Sequence, residues 1–263
     1  MVTLQSLRSG TRLLYIRDLL RELVYRDLRL RYKGSWLGIG WSMVNPLAQI
    51  LVFTFLFNRV LPLNIPNYTV FVFVGVLAWA WFQNGLISAA GSIVDNRVLI
   101  RRPGFPVAIL PAVTVATNMI HFLLAFPILL VALVLTGGQL HLGILALPVI
   151  MLIQFLLTLG LAYIIAATHV NFRDTQHMLG VIMLLLFYLT PVFYRANAIP
   201  EQYQFIYNLN PMAHLLTAYR ALLIQGDMPA LGPLLVITIL ALGLLGLGYT
   251  YFQRASARFV EEV

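Results

Sequence analysis

The chain has 263 residues, of which 60% are hydrophobic and only 10% are charged, with a formal net charge of +8. Ordinary soluble domains contain roughly 25% charged residues, so this composition excludes a soluble globular protein and predicts a membrane protein with several spans. The sequence contains no cysteine, which also excludes disulfides, thiolate metal sites and cysteine nucleophiles.

The first 35 residues predict an amphipathic helix that lies along the inner membrane interface. Apolar residues recur there at helical spacing, with charged residues on the remaining faces: Leu13, Ile16, Leu20 and Leu23 against Arg17, Arg21, Glu22 and Arg26. The alternative is a helix that is solvated in the cytoplasm. Residues 1–35 are therefore interpreted as a cytoplasmic segment and residues 36–263 as a transmembrane domain.

Six segments of low charge follow, and most have the length that a helix needs to cross a bilayer core roughly 30 Å thick. They lie at about residues 36–57, 69–88, 107–136, 142–168, 177–193 and 231–252. The fifth is short and ends at Thr190-Pro191, where proline discourages further helix. The predicted fold class is all-α, with six transmembrane helices.

Uncharged polar residues share faces on two of these spans. Ser42, Asn45 and Gln49 do so on the first span, and the third span carries a similar stripe made of Thr114, Thr117, Asn118 and His121. Such stripes face protein or water, since lipid offers them no partner. They indicate either hydrogen bonds between helices or the lining of a hydrated path. No Asp or Glu falls within a span, which disfavours carriers coupled to protons or sodium.

Two connecting segments are too long for turns and too short to span. In residues 89–106 we expect Ser92 to cap a short basic helix that ends at Pro103-Gly104; this helix either docks a partner or only anchors the loop at the inner face.

In the later segment, Asn210 caps a helix that begins at Pro211 and stops at Gly226. Its apolar stripe consists of Met212, Leu215, Leu216, Tyr219, Leu222 and Leu223. Together with residues 197–208, this helix predicts a short re-entrant or interfacial hairpin before the last span.

The distribution of basic residues predicts the orientation. Of the 17 lysine and arginine residues, those on the side opposite the N-terminal segment are only Arg59, Arg195 and Arg220. By the positive-inside rule, both termini are cytoplasmic. The basic excess therefore needs no nucleic-acid partner to explain it.

The sequence contains no recognisable catalytic constellation. The five histidines lie on different segments without the spacing of metal ligands, and the single lysine, Lys33, precedes Gly34-Ser35 without completing a phosphate-binding GxxxxGK[ST] loop. We therefore expect no catalytic residue, metal site or cofactor on this chain. If transport is active, another polypeptide must supply the energy.

Three long runs resemble ABC-2 type permeases that export lipid-linked polysaccharides in bacteria: O-antigen, teichoic acid and capsule exporters. The runs are RDLRLRYKGSWLGIGWSMVNP (26–46), FVGVLAWAWFQNGLISAAGSIVDNRVLIRRPGFPVAILP (73–111) and LTPVFYRANAIPEQYQFIYNLNPMAHLLTAYRALLIQG (189–226). They follow the family's order over nearly the whole chain. The KGSWLGxxW form is more similar to O-antigen and teichoic acid permeases than to capsule permeases.

The resemblance implies a homodimer in the bacterial inner membrane, bound to two copies of a separate ATP-binding subunit that carries ATP and Mg. The implied cargo is a polyprenyl-pyrophosphate-linked polysaccharide, with O-antigen favoured. Teichoic acid, capsule, a drug or a lipid are alternative cargoes. An ATP-independent carrier and a membrane enzyme are the remote alternatives from other functional classes.

The resemblance also suggests roles for particular residues. The loop expected to couple to the ATPase contains Ser92, Asp95, Asn96, Arg97, Arg101 and Arg102. The cytoplasmic entrance, where basic groups would meet the pyrophosphate, contains Arg26, Arg29, Arg31 and Lys33. The channel lining, which includes aromatic rings on which sugars would stack, contains Ser42, Asn45, Gln49, Phe53, Phe57, Phe187 and Tyr188. The outer gate contains Tyr194, Tyr203, Tyr207, Asn210, Tyr219 and Arg220.

Overall fold

A computed structural model describes residues 3–35, 40–60, 65–139 and 141–262, and the secondary structure within these ranges is helical. The α-helices in chain order are α1 (Thr3–Tyr32), α2 (Trp41–Phe55), α3 (Tyr68–Gly91), α4 (Arg97–Ile100), α5 (Ile109–Leu135), α6 (Leu147–Asn171), α7 (Thr175–Leu189), α8 (Gln204–Leu209), α9 (Pro211–Arg220), α10 (Leu231–Ser256) and α11 (Phe259–Glu262). A π turn at Leu56–Val60 extends α2, and a second at Ala221–Gln225 extends α9. The predicted all-α class is confirmed.

Five helical segments in the described ranges are long and apolar enough to cross a membrane: Met43–Val60, Tyr68–Gly91, Ile109–Leu135, Leu142–Asn171 and Leu231–Ser256. The fifth predicted span, residues 177–193, is not confirmed, so the six predicted spans are reduced to five. It corresponds to α7, which has 15 residues and is thus roughly 22 Å long at about 1.5 Å per residue. The helix ends at Leu189 because Thr190 is extended, with ψ at 140°, as expected before a proline.

Helix α3 forms the centre of the bundle. Every residue from Val70 to Trp79 is buried, and α3 packs against α2, α5, α6, α7 and α9. A side-chain hydrogen bond reinforces this packing, since buried Gln154 of α6 donates its Nε2 to the carbonyl of Ala78 at 2.9 Å. These five helices are therefore positioned by their contacts with α3.

Glycine allows α6 and α10 to cross closely. A Cβ at Gly160 would lie 2.6 Å from the backbone nitrogen of Leu245, and a Cβ at Gly248 would collide with the carbonyl of Gly160. The Tyr163 ring also packs on Phe252, with 5.3 Å between centroids. Small residues at such crossings allow close van der Waals packing, which contributes to helix association where lipid supplies no hydrophobic driving force.

The outer helices α2, α7 and α10 present apolar side chains on the surface of the chain. Leu51 of α2 is 70% exposed, and Val181 of α7 and Ile239 of α10 are also exposed. In water such surfaces would favour aggregation, whereas lipid or another membrane protein covers them without cost. This surface agrees with an integral membrane protein.

Helix α1 packs on the bundle through part of the predicted apolar stripe. Leu23 and Val24 are buried, Ile16 and Leu20 are partly buried against the core, and α1 contacts α5. The side chain of Leu13 lies outside the described part of the chain. The C-terminal half of the stripe is thus a protein-packing face.

Candidate functional site

The predicted coupling loop forms a compact segment, residues 92–102, at one end of the bundle. The Ser92 hydroxyl donates to the carbonyl of Ala89 at 2.7 Å, and the Asn96 side chain donates to the carbonyl of Ser92 at 2.9 Å. The predicted cap was therefore wrong, because the Ser92 hydroxyl closes the end of α3 instead of starting the short helix. The short helix α4 ends at Ile100, before the predicted stop at Pro103-Gly104, where the chain turns with φ at 77° at Gly104.

One face of this coupling segment is anchored and the opposite face is exposed. Arg26 of α1 donates its Nη2 to Asn96 Oδ1 at 2.8 Å, Ile100 is buried, and α11 contacts α4. The exposed face carries Val98, which is 74% exposed, and four exposed charged residues: Asp95, Arg97, Arg101 and Arg102. An apolar residue surrounded by charges on a supported segment is suited to docking another protein.

The residues predicted at the cytoplasmic entrance divide between different partners. Arg26 joins α1 to the coupling segment, a connection that sequence reasoning missed. Arg29 lies over the ring of Tyr25, with its guanidinium carbon 4.5 Å from the centroid, and also donates to the Tyr25 hydroxyl. Lys33 is exposed, and the side chain of Arg31 lies outside the described part of the chain.

The two predicted polar stripes meet in a cavity of about 470 Å³ between α2, α3 and α5. Asn45 and Gln49 line it from α2, while Asn118 and His121 line it from α5. The side chain of Ser42 is outside the described residues. Within the α5 stripe, Thr114 donates to the carbonyl of Pro111 and Asn118 donates to that of Thr114, both at 2.8 Å.

Helix α3 contributes polar residues to the same cavity that the sequence predictions overlooked. Gln83, Asn84 and Ser88 line it, and the Trp79 indole donates to Gln83 Oε1 at 2.7 Å. Their signal was present in the sequence, since three polar residues within six positions are unusual in an otherwise apolar span.

The predicted aromatic lining forms a cluster between α2, the end of α7 and the turn after it. Phe193 is central to it, with its ring centroid 5.3 Å from Phe53, 5.7 Å from Phe57 and 5.9 Å from Phe187. Tyr188 packs edge-on against Phe187 and is 56% exposed. Sequence reasoning missed Phe193, although it is the last residue of the predicted fifth span, 177–193. The structure therefore joins all four predicted aromatic residues and adds Phe193.

The short helix before the last span has the predicted features. The Asn210 side chain accepts from the Met212 backbone at 3.0 Å, Pro211 occupies the first turn, and Gly226 ends the helix with φ at 76°. The predicted stripe is buried throughout: Met212, Leu215, Leu216, Tyr219, Leu222 and Leu223. Helix α9 packs on α3, α6 and α10. Its depth in the bilayer, and hence a re-entrant path, remains a prediction.

Arg220 is the only residue of the predicted outer gate that binds several separate segments at once within the described structure. It is 6% exposed, and its Nη1 and Nη2 donate to the carbonyls of Pro191 and Val192, both at 2.7 Å. Its guanidinium carbon lies 3.6 Å from the centroid of the Phe71 ring. Gly75 makes room for this arrangement, since a Cβ there would lie 2.7 Å from Nη2.

The other predicted gate residues differ in burial and in their hydrogen-bond partners. The Tyr194 hydroxyl donates to the carbonyl of Leu189 at 2.9 Å. Burial, with a smaller contribution from Tyr207, raises the pKa of Tyr194, which keeps the phenol protonated and able to donate. The Tyr207 hydroxyl pairs with that of Thr217 at 3.1 Å. Tyr203 is exposed, whereas Tyr219 is buried, so only some of the tyrosines face the surface of the chain.

Comparison with known proteins identifies the family. Residues 18–224 match the ABC-2 type transporter family. The chain is 37% identical to the O-antigen export system permease protein RfbA of Myxococcus xanthus, over 94% of this chain and 96% of that protein. It is 32% identical to a protein of the same name from Klebsiella pneumoniae, over 97% and 99% of the two chains.

A more distant relative is the polysialic acid transport protein KpsM of Escherichia coli, 23% identical over 78% of this chain and 80% of that protein. The order of these identities agrees with the preference predicted from the KGSWLGxxW run. The family match covers both the coupling segment and the cavity. The chain belongs to the ABC-2 type transporter family.

Proposed function

We propose that this chain is the membrane permease subunit of an exporter that moves a polyprenyl-pyrophosphate-linked polysaccharide, O-antigen, across the bacterial inner membrane. The observation that carries the proposal is the similarity to O-antigen export permeases at 32–37% identity over nearly the whole length of both partners. Both termini are cytoplasmic in this proposal, and the permease works as a homodimer with two copies of a separate ATPase.

The coupling segment is the surface that receives the ATPase. Val98 is exposed among Arg97, Arg101 and Arg102, whereas Ile100 on the opposite side is buried in the bundle. A force applied to this segment reaches α3 directly through Ser92 and reaches α1 through the hydrogen bond between Arg26 and Asn96. ATP and Mg belong to the partner in this arrangement, which agrees with the absence of a phosphate-binding loop from the sequence.

The cargo path combines three surfaces. Arg29, Arg31 and Lys33 would attract the pyrophosphate at the cytoplasmic entrance through charge-assisted contacts. The aromatic cluster around Phe193 gives rings on which sugars stack as the chain moves. Tyr194, Tyr203 and Tyr207 would form the accessible part of the outer gate, while Asn210, Tyr219 and Arg220 hold that gate together from within.

The test is export in the native bacterium. Deletion of the gene should remove the O-antigen ladder from surface lipopolysaccharide, cause lipid-linked glycan to accumulate inside the cell, and be reversed by a plasmid copy. Val98→Asp and Arg101→Glu should reduce the ladder and weaken co-purification of the ATPase. Arg21→Glu is the matched control, because it makes the same charge change on an exposed position of α1.

Each part of the proposal has its own contradictory result. Loss of a capsule with an intact O-antigen ladder would show that the cargo is wrong. Normal ATPase binding and export in both coupling variants would show that the segment is not the docking surface.

A further inference from the structure

The cavity between α2, α3 and α5 has a lining of unusual chemistry for membrane-spanning helices. Its walls carry side-chain amides from all three helices, among them Asn45, Gln49, Asn84 and Asn118. The amides of Asn45, Gln49 and Asn84 make no hydrogen bond to another described residue. Because lipid cannot satisfy such groups, they require water, a polar ligand or another protein surface of the assembled transporter.

The lining selects against most ligand classes. Within the described residues, the cavity is lined by no Asp, Glu, Lys or Arg, and its one titratable group is His121. A pyrophosphate would lack the basic partners that phosphates require. A lipid tail would bury the amides without partners, which costs free energy for each unsatisfied group.

An uncharged sugar residue matches the lining in every respect. Each amide both donates and accepts, as hydroxyl groups do, so several amides can satisfy the hydroxyls of one ring. Trp41 lies on the wall of the cavity and is 58% exposed, which leaves its ring accessible to the apolar face of a sugar. The volume, about 470 Å³, falls within the range of small-molecule sites, roughly 300–1,000 Å³.

The cavity lies near the coupling segment. Ser88 lines it and precedes Ser92 by one helical turn, while Ser35 lines it from the residues that follow α1. In the proposed topology this is the cytoplasmic half of the bundle. Lys33, a basic residue of the proposed entrance, is only two positions from Ser35.

We propose that this cavity is a sugar-binding site within each protomer, which takes an uncharged sugar residue of the cargo while the pyrophosphate stays outside at the basic entrance. The inference rests on the proposed function and adds to it a recognition site separate from the aromatic cluster. Asn45, Gln49 and Asn84 bind the sugar hydroxyls.

The test uses the complex of the permease with its ATPase, and it exploits the absence of cysteine from this chain. Ser88→Cys places one thiol in the cavity, and Gln253→Cys places a control thiol at an exposed position of α10 that lines neither the cavity nor the aromatic cluster. Maleimide labelling of the permease is timed with two probes: a short prenyl pyrophosphate that carries one N-acetylglucosamine, and the same prenyl pyrophosphate without the sugar.

The sugar-bearing probe should slow labelling at position 88 roughly tenfold when its concentration is about ten times Kd. The bare probe should leave this rate unchanged, and neither probe should affect position 253. Addition of Asn84→Leu should abolish the protection, whereas Asn84→Gln, which keeps the amide, should retain most of it. Gel filtration of each complex verifies that the variants are folded.

Four results would overturn the inference. Equal protection by both probes would assign the cavity to the lipid or pyrophosphate part of the cargo. Full protection in the Asn84→Leu variant would show that the amides do not bind the sugar. Absence of protection, in a complex whose ATP hydrolysis the probes still stimulate, would refute the cavity site alone. Loss of that stimulation together with normal O-antigen in the deletion strain would refute the proposed function, and the cavity site with it.

Discussion

Replacement of Arg220 should loosen the end of the bundle where α9 packs on α3 and on the turn after α7. Arg220→Met removes a guanidinium that donates to the carbonyls of Pro191 and Val192 and packs on the Phe71 ring. The methionine fills a similar volume but offers no donor. The change therefore tests the hydrogen bonds and the cation–π contact more than the packing.

The size of the effect follows from the groups left without partners. Pro191 and Val192 are buried, and a buried acceptor that loses its partner costs about 1–3 kcal/mol, so two of them cost at least about 2 kcal/mol. The cation–π contact adds up to about 2 kcal/mol when desolvated, while relief of the buried charge offsets part of the loss. At roughly 2–4 °C per kcal/mol for a chain of this size, the apparent melting temperature should fall by about 4 °C or more.

The assay is thermal unfolding of the purified protein in detergent, followed by gel filtration after heating. Arg195→Met is the matched control, because Arg195 is exposed and lies close to the same turn; its melting temperature should remain near that of the wild type. Arg220→Lys should be intermediate, since one ammonium group cannot reproduce the planar fork. A melting temperature for Arg220→Met equal to that of the control would refute the reasoning.

Three further predictions concern other contacts. Gly248→Leu should prevent stable folding or lower the melting temperature by several degrees, because its side chain would collide with the backbone of α6. Gly246→Leu should be tolerated, because a side chain at position 246 has open space. Equal behaviour of the two variants would disprove the close crossing. Asn210→Ala should cost about 2 kcal/mol of stability, since it removes both the cap and the hydrogen bond from Asn210 Nδ2 to Thr190 Oγ1. Asn210→Asp should restore the cap alone, and Asn208→Ala, at an exposed position, is the control. Arg26→Ala and Asn96→Ala should each destabilise the protein. The double variant should lose less stability than the sum of the two single losses, by about 0.5–1.5 kcal/mol. Strictly additive losses in thermal unfolding would contradict the hydrogen bond.

The sequence predicted local features well where a single helix determines them. The buried stripe from Met212 to Leu223, the cap at Asn210 and the stop at Gly226 all depend on helical spacing and on backbone preferences of individual residues. Ser92 failed the same test because its hydroxyl donates to the carbonyl of Ala89 in the last turn of α3 and does not cap the following helix. The end at Thr190-Pro191 was also predicted correctly for the segment at residues 177–193. The helix before it, Thr175–Leu189, has only 15 residues, so a sixth span is not confirmed.

The sequence by itself determined that this is an all-helical membrane protein, that polar faces occur on the first and third spans, and that its motifs resemble polysaccharide permeases. Only the tertiary structure decided which faces meet. Asn45 and Asn118 are far apart in the chain, and their shared cavity depends on how α2 and α5 pack on α3. In the same way, Arg220 acquires its carbonyl partners from residues 28 and 29 positions earlier. Helical periodicity reports which side of a helix is polar or apolar, but the choice of partner depends on packing among helices that sequence spacing does not specify.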